Sequence, residues 1–212
     1  MMQADGPASI DPAAEMGWSP SGADLSRRDG PGEDGALMIL IAEGDQDAFT
    51  RLVDRHKDAL VAYLYRLCGD HGLAEDLSQE AFFRLYRAAG RYQERGRLKA
   101  YIYRIATNLL RSHERRARLV RWLPLSPLIE PVAGGAEPES AAEGAELRQA
   151  LSRAIGELPL VFRAPLVLQL VEGWKTREIA EALRMPEGTV KSRVNRGRRR
   201  LRAALRRARV EV

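Results

Sequence analysis

The chain has 212 residues, of which 45% are hydrophobic and 30% charged, a mixture typical of one ordinary globular domain or two small ones. Its single cysteine, Cys68, excludes an internal disulfide and a cysteine-rich metal site, and no stretch is apolar enough to span a bilayer. The net charge of +5 is uneven, because the N-terminal part leans acidic while the C-terminal end is strongly basic, which predicts a polyanionic partner.

Residues 1–36 are rich in Gly, Pro, Asp and Ser and show little periodicity. A segment of this composition cannot bury enough apolar surface to offset the entropy of ordering its backbone. We therefore predict a disordered N-terminal extension. It lacks the charged and then apolar pattern of a secretory signal, so we expect a cytoplasmic protein.

Residues 37–118 follow a helical period. Apolar residues recur at spacings of three and four along three successive segments, and Gly69 ends the first of them. One side of the third segment carries several arginines. This pattern predicts a small helical domain with its own positively charged surface.

Residues 119–144 hold repeated prolines followed by Gly, Ala and Glu, a composition that does not continue a helix. We interpret them as a flexible linker. Helical periodicity resumes at Leu147, and residues 145–208 form a second predicted domain. Pro165 lies inside it, and since proline removes a helix hydrogen bond, we expect a helix that starts near Arg163 or a kink there.

The second domain ends in a short helix, a tight turn and a long basic helix, the pattern of a helix-turn-helix. Thr176 is the expected N-cap of the short helix, and Met185 and Pro186 stop it. The long helix has no acidic residue between Gly188 and Arg209. Its apolar stripe consists of Val190, Val194, Gly197, Leu201, Ala204 and Leu205. A basic tail needs no such stripe, so we predict a helix that lies in a DNA groove.

The expected fold class is all-α, with two small helical domains joined by a flexible linker. The chain resembles bacterial sigma factors of the extracytoplasmic-function (ECF, sigma-70-like) group in three segments: AEDLSQEAFFRLY, GRLKAYIYRIATNLLRSHERR and LPLVFRAPLVLQLVEGWKTREIAEALRMPEGTVKSRVNRGRRRLR. The resemblance covers roughly residues 37–118 and 145–208, and the order and separation of the segments are more specific than any one of them. It implies a subunit that guides core RNA polymerase to promoter DNA.

The resemblance gives each segment a role. The first segment matches the part that docks on the polymerase clamp, with polar contacts at Asp76, Gln79 and Glu80. The second matches the part that opens the minus-ten promoter element. Its candidate DNA-binding residues are Arg97, Leu98, Lys99, Tyr101, Arg104, Asn108, Arg111 and Arg115. The third matches the reader of the minus-thirty-five element. Its candidates are Thr189, Lys191, Ser192, Arg193, Asn195, Arg196, Arg198 and Arg199.

These residue types suit the implied roles. Strand opening needs cations that hold phosphates and groups that stack on an unstacked base. The family places large aromatic residues at the positions of Leu98 and Tyr101, so Leu98 departs from the pattern. In the helix-turn-helix the implied base-edge contacts are Lys191, Ser192, Asn195 and Arg196, and the implied phosphate contacts are Thr189, Arg193, Arg198 and Arg199.

The predicted linker has a length that suits two separated promoter elements. Elements about 25 base pairs apart lie roughly 85 Å apart along the DNA axis at about 3.4 Å per base pair. A linker of about 26 residues reaches at most about 90 Å when extended. The two domains can therefore bind both elements at once.

Two alternatives stay open. A free-standing helix-turn-helix regulator binds an operator as a dimer and has no need of Asp76, Gln79 and Glu80. An enzyme acting on nucleic acid needs paired metal-binding carboxylates, a phosphate-cradling glycine loop or a nucleophile with its base, and we find none of these. We therefore expect no catalysis, no metal and no cofactor. The group's usual control also implies an anti-sigma protein as a partner.

Overall fold

The computed structural model describes residues 32–93, 96–122 and 145–208. Within these ranges the chain is helical, which confirms the all-α prediction. The helices are α1 (Glu33–Ala42), α2 (Gln46–Cys68), α3 (His71–Ala88), α4 (Leu98–Trp122), α5 (Ala145–Gly156), α6 (Leu160–Leu170), α7 (Thr176–Leu183) and α8 (Glu187–Arg207), with a 3-10 turn at Ala89–Arg91. Helices α1–α4 build the first domain and α5–α8 the second.

Helix α1 begins inside the stretch that composition assigned to the disordered extension. Its acidic first turn is bound by α2. The Asp34 carboxylate accepts a hydrogen bond of 2.8 Å from Arg55 Nη1, and its other oxygen lies 2.9 Å from His56 Nε2. Glu33 also accepts a hydrogen bond from Arg55. These partners lie on another helix, so composition alone does not reveal them. Residues 1–31 lie outside the described residues.

Short polar caps set the ends of α2 and α3. The Asp45 carboxylate accepts from the Ala48 N–H at 3.0 Å, and the Asp70 carboxylate accepts from the Leu73 N–H at 3.0 Å. Between the two helices Gly69 has a φ of 74°, a left-handed conformation that residues with a side chain rarely adopt. The prediction that Gly69 ends the first segment is confirmed.

Helix α4 continues to Trp122, past the predicted end of the first domain at residue 118. The remainder of the predicted linker, residues 123–144, lies outside the described residues. The second domain resumes with α5 at Ala145, where it was expected. The two domains pack directly on one another: α2 contacts α5 and α6, and α4 contacts α7, so the buried apolar residues form one continuous core.

Helix α6 begins earlier than the sequence suggested. The Pro159 carbonyl accepts hydrogen bonds from the Phe162 and Arg163 N–H groups at 2.9 and 3.0 Å, so the helix starts at Leu160. Pro165 lies inside it. Of the two expectations, the start near Arg163 is wrong, because the Pro159 carbonyl already closes an earlier turn, and the kink stays a prediction.

Candidate nucleic-acid interface

Helix α8 separates an apolar face from a basic face. Its buried residues are the six of the predicted apolar stripe, which confirms that prediction. On the other face Lys191, Ser192, Asn195 and Arg196 are exposed, as are Arg198 and Arg199, while Thr189 and Arg193 are half-buried. The helix therefore presents its candidate base-reading groups outward, on a support that is fixed by packing.

A close helix crossing fixes α8 against α6. A Cβ at Gly197 would lie 3.3 Å from the carbonyl oxygen of Phe162, a tighter contact than Cβ atoms usually make, so glycine favours this close approach of the two backbones. The guanidinium of Arg200 lies 5.0 Å from the centre of the Phe162 ring. Arg198 donates a hydrogen bond of 3.2 Å to the Gln169 side chain, which orients one of the candidate phosphate contacts.

The turn before α8 is tight, and nearby backbone carbonyls accept its N–H groups. Arg184 has a φ of 49°, in the left-handed region, and the next N–H, that of Met185, donates to the Ala180 carbonyl at 3.0 Å. Helix α7 is capped at Lys175 rather than at Thr176, because the Lys175 N–H donates to the Glu178 carboxylate at 2.6 Å. The N-cap prediction for Thr176 is wrong by one position.

The minus-ten candidates begin at the N-terminal end of α4, and several face the second domain. Arg97, Lys99, Arg111 and Arg115 are exposed and Tyr101 and Asn108 are half-buried. Leu98 is only 3% exposed and Arg104 only 7%. Neither side chain is open to solvent in this arrangement, and their contact with DNA stays a prediction.

Arg104 lies in a cluster of rings and cations between the two domains. Its guanidinium lies 4.8 Å from the centre of the Tyr101 ring, and that ring lies 5.5 Å from Tyr92. Burial, together with the nearby charge of Arg184, lowers the pKa of Arg104 to about 10.

The polymerase-docking candidates lie on α3. Asp76 and Gln79 are exposed, and Glu80 is half-buried and accepts a hydrogen bond of 2.8 Å from Arg84. The opposite side of α3 is buried at Leu77, Ala81 and Leu85. Helix α3 therefore separates a polar from an apolar face, while the role of the polar face stays a prediction.

Next to Gln79, helices α2 and α3 form an apolar groove of about 630 Å³. Its lining includes Phe49, Phe82, Phe83 and Tyr86, and Phe83 is 53% exposed. A large aromatic side chain at this level of exposure is typical of a protein-binding surface rather than of a core.

Two family models match the chain: Sigma-70 region 2 over residues 52–120 and Sigma-70 region 4 over residues 148–201. The chain is also 36% identical over 174 residues to the ECF RNA polymerase sigma factor SigW of Bacillus subtilis (strain 168), covering 78% of this chain and 93% of that protein. The chain belongs to the ECF RNA polymerase sigma factors. The region 2 match contains every docking and minus-ten candidate of this sigma factor, and the region 4 match contains every minus-thirty-five candidate.

Solved structures share the fold of this sigma factor. One is the sigma factor RpoE in complex with the anti-sigma factor NepR from Bartonella quintana, with 26% identity and a TM-score of 0.61, covering 74% of this chain and 96% of that one. Another is CnrH in complex with the cytosolic domain of CnrY, with 25% identity and a TM-score of 0.61, covering 82% of this chain and 97% of that one.

The residues that join the two domains were not predicted from the sequence. Trp174 is 7% exposed, and its ring centre lies 4.8 Å from that of Tyr103 in the first domain. Glu181 lies 3.4 Å from Arg97, and Arg163 donates to Glu114 at 2.5 Å. The tryptophan beside Gly173 was at most a weak signal, because such contacts join positions far apart in the sequence.

Other kinds of site find little support in the described ranges. They contain no group of three or more His, Cys, Asp or Glu residues placed to hold a metal ion. Cys68 is half-buried, its thiol donates to the Asp70 carbonyl at 3.2 Å, and burial raises its pKa, which disfavours the reactive thiolate. None of the helices in those ranges is long and apolar enough to cross a membrane.

Proposed function

We propose that this sigma factor reads the minus-thirty-five element with α8, opens the minus-ten element with the start of α4, and docks on the polymerase with the polar face of α3. The observation that carries the proposal is the presence of two separate basic surfaces on two domains, beside a third surface that is acidic and aromatic. One operator-binding module needs only the first of these surfaces.

Helix α8 is suited to base reading because its charged face carries both bidentate and single donors. Arg196 and Lys191 match the acceptors of guanine in the major groove, and Asn195 matches adenine. Thr189, Arg193, Arg198 and Arg199 flank these residues and supply phosphate contacts that fix the register of the helix.

The start of α4 is suited to holding a displaced strand. Arg97, Lys99, Arg111 and Arg115 are exposed cations along the helix, and Tyr101 supplies a ring for base stacking. Leu98 lacks a π-face, so stacking rests on Tyr101 in this chain. Arg104 and Asn108 lie further along the same helix and extend the candidate set.

The docking role is tested by binding core RNA polymerase to an Asp76→Ala, Gln79→Ala variant. We expect weaker polymerase binding with unchanged binding of duplex DNA, because the two surfaces lie on different domains. Asp58→Ala on α2 is the matched control, since Asp58 is also an exposed acid. Equal polymerase affinity in all three proteins contradicts the docking assignment.

A comparison of DNA binding with and without core polymerase separates the proposal from a free-standing regulator. A sigma factor gains promoter affinity from the polymerase, because the enzyme positions both domains on the DNA. A regulator binds its operator tightly alone and gains nothing when polymerase is added. The second result would overturn the proposal.

The partners of this chain follow from the same surfaces. A protein that covers the cations and the groove would block both DNA and polymerase. The sigma factor RpoE of Bartonella quintana was solved in complex with an anti-sigma factor. An anti-sigma protein is accordingly part of the proposal, as is a cytoplasmic site of action, where the polymerase and the DNA are. Purification of the chain from its native cell under a range of growth conditions, with no bound partner in any of them, would contradict the first.

A further inference from the structure

The apolar groove between α2 and α3 is lined by aromatic rings and open to solvent. Phe49 of α2 and Tyr86 of α3 stand edge to face in its wall, with ring centres 5.1 Å apart, and Phe83 is 53% exposed. Its volume of about 630 Å³ lies in the range of about 300 to 1,000 Å³ that is typical of pockets for drug-sized ligands. The groove can therefore take an aromatic side chain together with a neighbouring one.

Two cations border this groove. Lys57 lines it, and the guanidinium of Arg87 lies 5.9 Å from the centre of the Phe83 ring. Both cations are exposed, and neither forms an ion pair with any residue that the structure describes. The lining also contains an acid, Glu75, which lies 3.7 Å from a ring nitrogen of His71. An occupant that combines apolar side chains with acidic ones is therefore complementary to the groove.

The N-terminal part of the same chain has this combination. Residues 1–26 contain four acidic residues and no Lys or Arg, and Trp18 is their one aromatic residue. Met16 lies two positions before Trp18, and residues at this spacing point to the same side of an extended backbone. We call residues 10–18 the anchor segment. Its apolar and acidic members are Ile10, Asp11, Glu15, Met16 and Trp18.

The connection to α1 is long enough for the anchor segment to reach the groove. Asp34, in the first turn of α1, accepts a hydrogen bond of 2.8 Å from Arg55 of α2. Arg55 is two residues from Val53 and from Lys57, which both line the groove, so it lies within about 3 Å of their level along α2. Halfway around a helix of about 10 to 12 Å diameter is less than about 20 Å. The roughly 15 residues between Trp18 and α1 span up to about 50 Å.

We propose that the anchor segment occupies the groove in the free chain, with Trp18 and Met16 against its rings and the acids of the segment near Lys57 and Arg87. Aromatic pairs in such a contact are stabilised beyond the burial of their surface. The tether gives the segment an effective concentration on the order of millimolar, so a contact that is weak between separate molecules is populated within one chain. A segment that is disordered alone becomes ordered where it binds.

An occupied groove competes with core polymerase. This consequence rests on the proposed function, because the docking candidate Gln79 lines the same groove. If the segment fills the groove in about 90% of the molecules, polymerase meets an open groove in about one tenth of them, and its apparent affinity falls about tenfold. Polymerase that binds there displaces the segment in turn.

Fluorine NMR of the full chain labelled with 5-fluorotryptophan tests the docking. The Trp18 resonance, assigned with Trp18→Phe, should be shifted from its position in denaturant, and Phe83→Ala should return it toward that position. Leu170→Ala is the matched control, since Leu170 is 50% exposed and lies in the second domain, and it should leave the resonance in place. The resonance of Trp174, which is 7% exposed, reports whether each variant is folded.

A second variant keeps the test decisive if Phe83→Ala does not fold. Lys57→Glu with Arg87→Glu changes two exposed side chains and should release Trp18 by repelling the acidic segment. A Trp18 resonance at its denaturant position in the free chain, or one that no folded groove variant moves, overturns the proposal. A position that depends on protein concentration assigns the occupant to a second copy of the chain and overturns it as well.

Binding of core polymerase to the full chain tests the competition. Trp18→Ala should tighten this binding by up to about tenfold, whereas Leu25→Ala, which changes an apolar residue outside the anchor segment, should alter it little. Equal polymerase affinity for the parent chain and both variants overturns the competition. Failure of the parent chain to bind polymerase at all overturns the proposed function instead, and the Trp18 resonance still decides whether the segment docks.

Discussion

Helix α8 presents its cations to solvent, whereas the start of α4 presents several of its cations to the second domain. Lys191, Asn195 and Arg196 are exposed, while Arg104 is buried and Arg97 is paired with Glu181. The two surfaces have similar compositions, but the α8 surface is exposed to solvent and the α4 surface is partly buried. In this arrangement the proposed minus-thirty-five surface is open to solvent, whereas part of the proposed minus-ten surface contacts the second domain.

The largest expected effect is on promoter affinity and comes from substitutions on the exposed face of α8. Lys191→Ala with Arg196→Ala should weaken promoter binding by the polymerase complex by about 1 to 3 kcal/mol for each base that the variant no longer reads. Arg207→Ala is the matched control, because Arg207 is a cation of the same helix outside the predicted reading set and pairs with Glu157 at 3.0 Å. Equal promoter affinity for the double variant and the control would reject our choice of reading residues.

A smaller effect is expected on the free energy of unfolding when the contact between the two domains is weakened. Glu114→Gln leaves Arg163 with its side chain 8% exposed and no carboxylate partner across the interface. We expect a loss of about 2 to 3 kcal/mol in the free energy of unfolding, because a buried cation without its partner is costly. The assay is chemical denaturation of the free chain.

The control for that variant is Glu157→Gln, which removes an exposed pair, with side chains 60% and 74% exposed. Exposed pairs contribute at most about 1 kcal/mol, so its denaturation midpoint should hardly move. If both variants lose equal stability, the Glu114 pair does not hold the domains together.

The smallest effect concerns the support of α8. At Gly197 an added Cβ meets the Phe162 carbonyl at 3.3 Å, and Gly197→Ala should lower the free energy of unfolding by about 1 kcal/mol as packing strain exceeds the gain in helix propensity. Gly188→Ala, in the same helix with nothing within 4 Å, should instead gain up to about 1 kcal/mol. Thermal unfolding that moves both variants in the same direction would contradict the close crossing of α6 and α8.

Sequence periodicity predicted the elements well where a local rule decides them. The apolar stripe of α8 follows from spacing alone, and Gly69 follows from the need for a left-handed residue at a helix end. The cap at Lys175 was missed, because it depends on the Glu178 carboxylate, which accepts from the Lys175 N–H, and not on the hydroxyl of Thr176. The predicted helices are thus present in the structure, and their ends differ from the prediction by a few residues.

Contacts between segments far apart in the chain could not be predicted from the sequence. Arg104 carries the residue type of a DNA surface, and nothing in its own segment shows that it is buried near Arg184 at the end of α7. The packing of Trp174 is equally hidden in its own segment, because its partner Tyr103 lies in another domain. Periodicity identifies which side of a helix is apolar, but not which neighbour covers the other side.

In vitro transcription tests the central claim most directly. Core RNA polymerase is mixed with this protein and genomic fragments, and the 5′ ends of the transcripts are mapped. We predict start sites that depend on the protein and that disappear with the Lys191→Ala, Arg196→Ala variant. Transcripts whose start sites are the same with and without the protein would contradict the account.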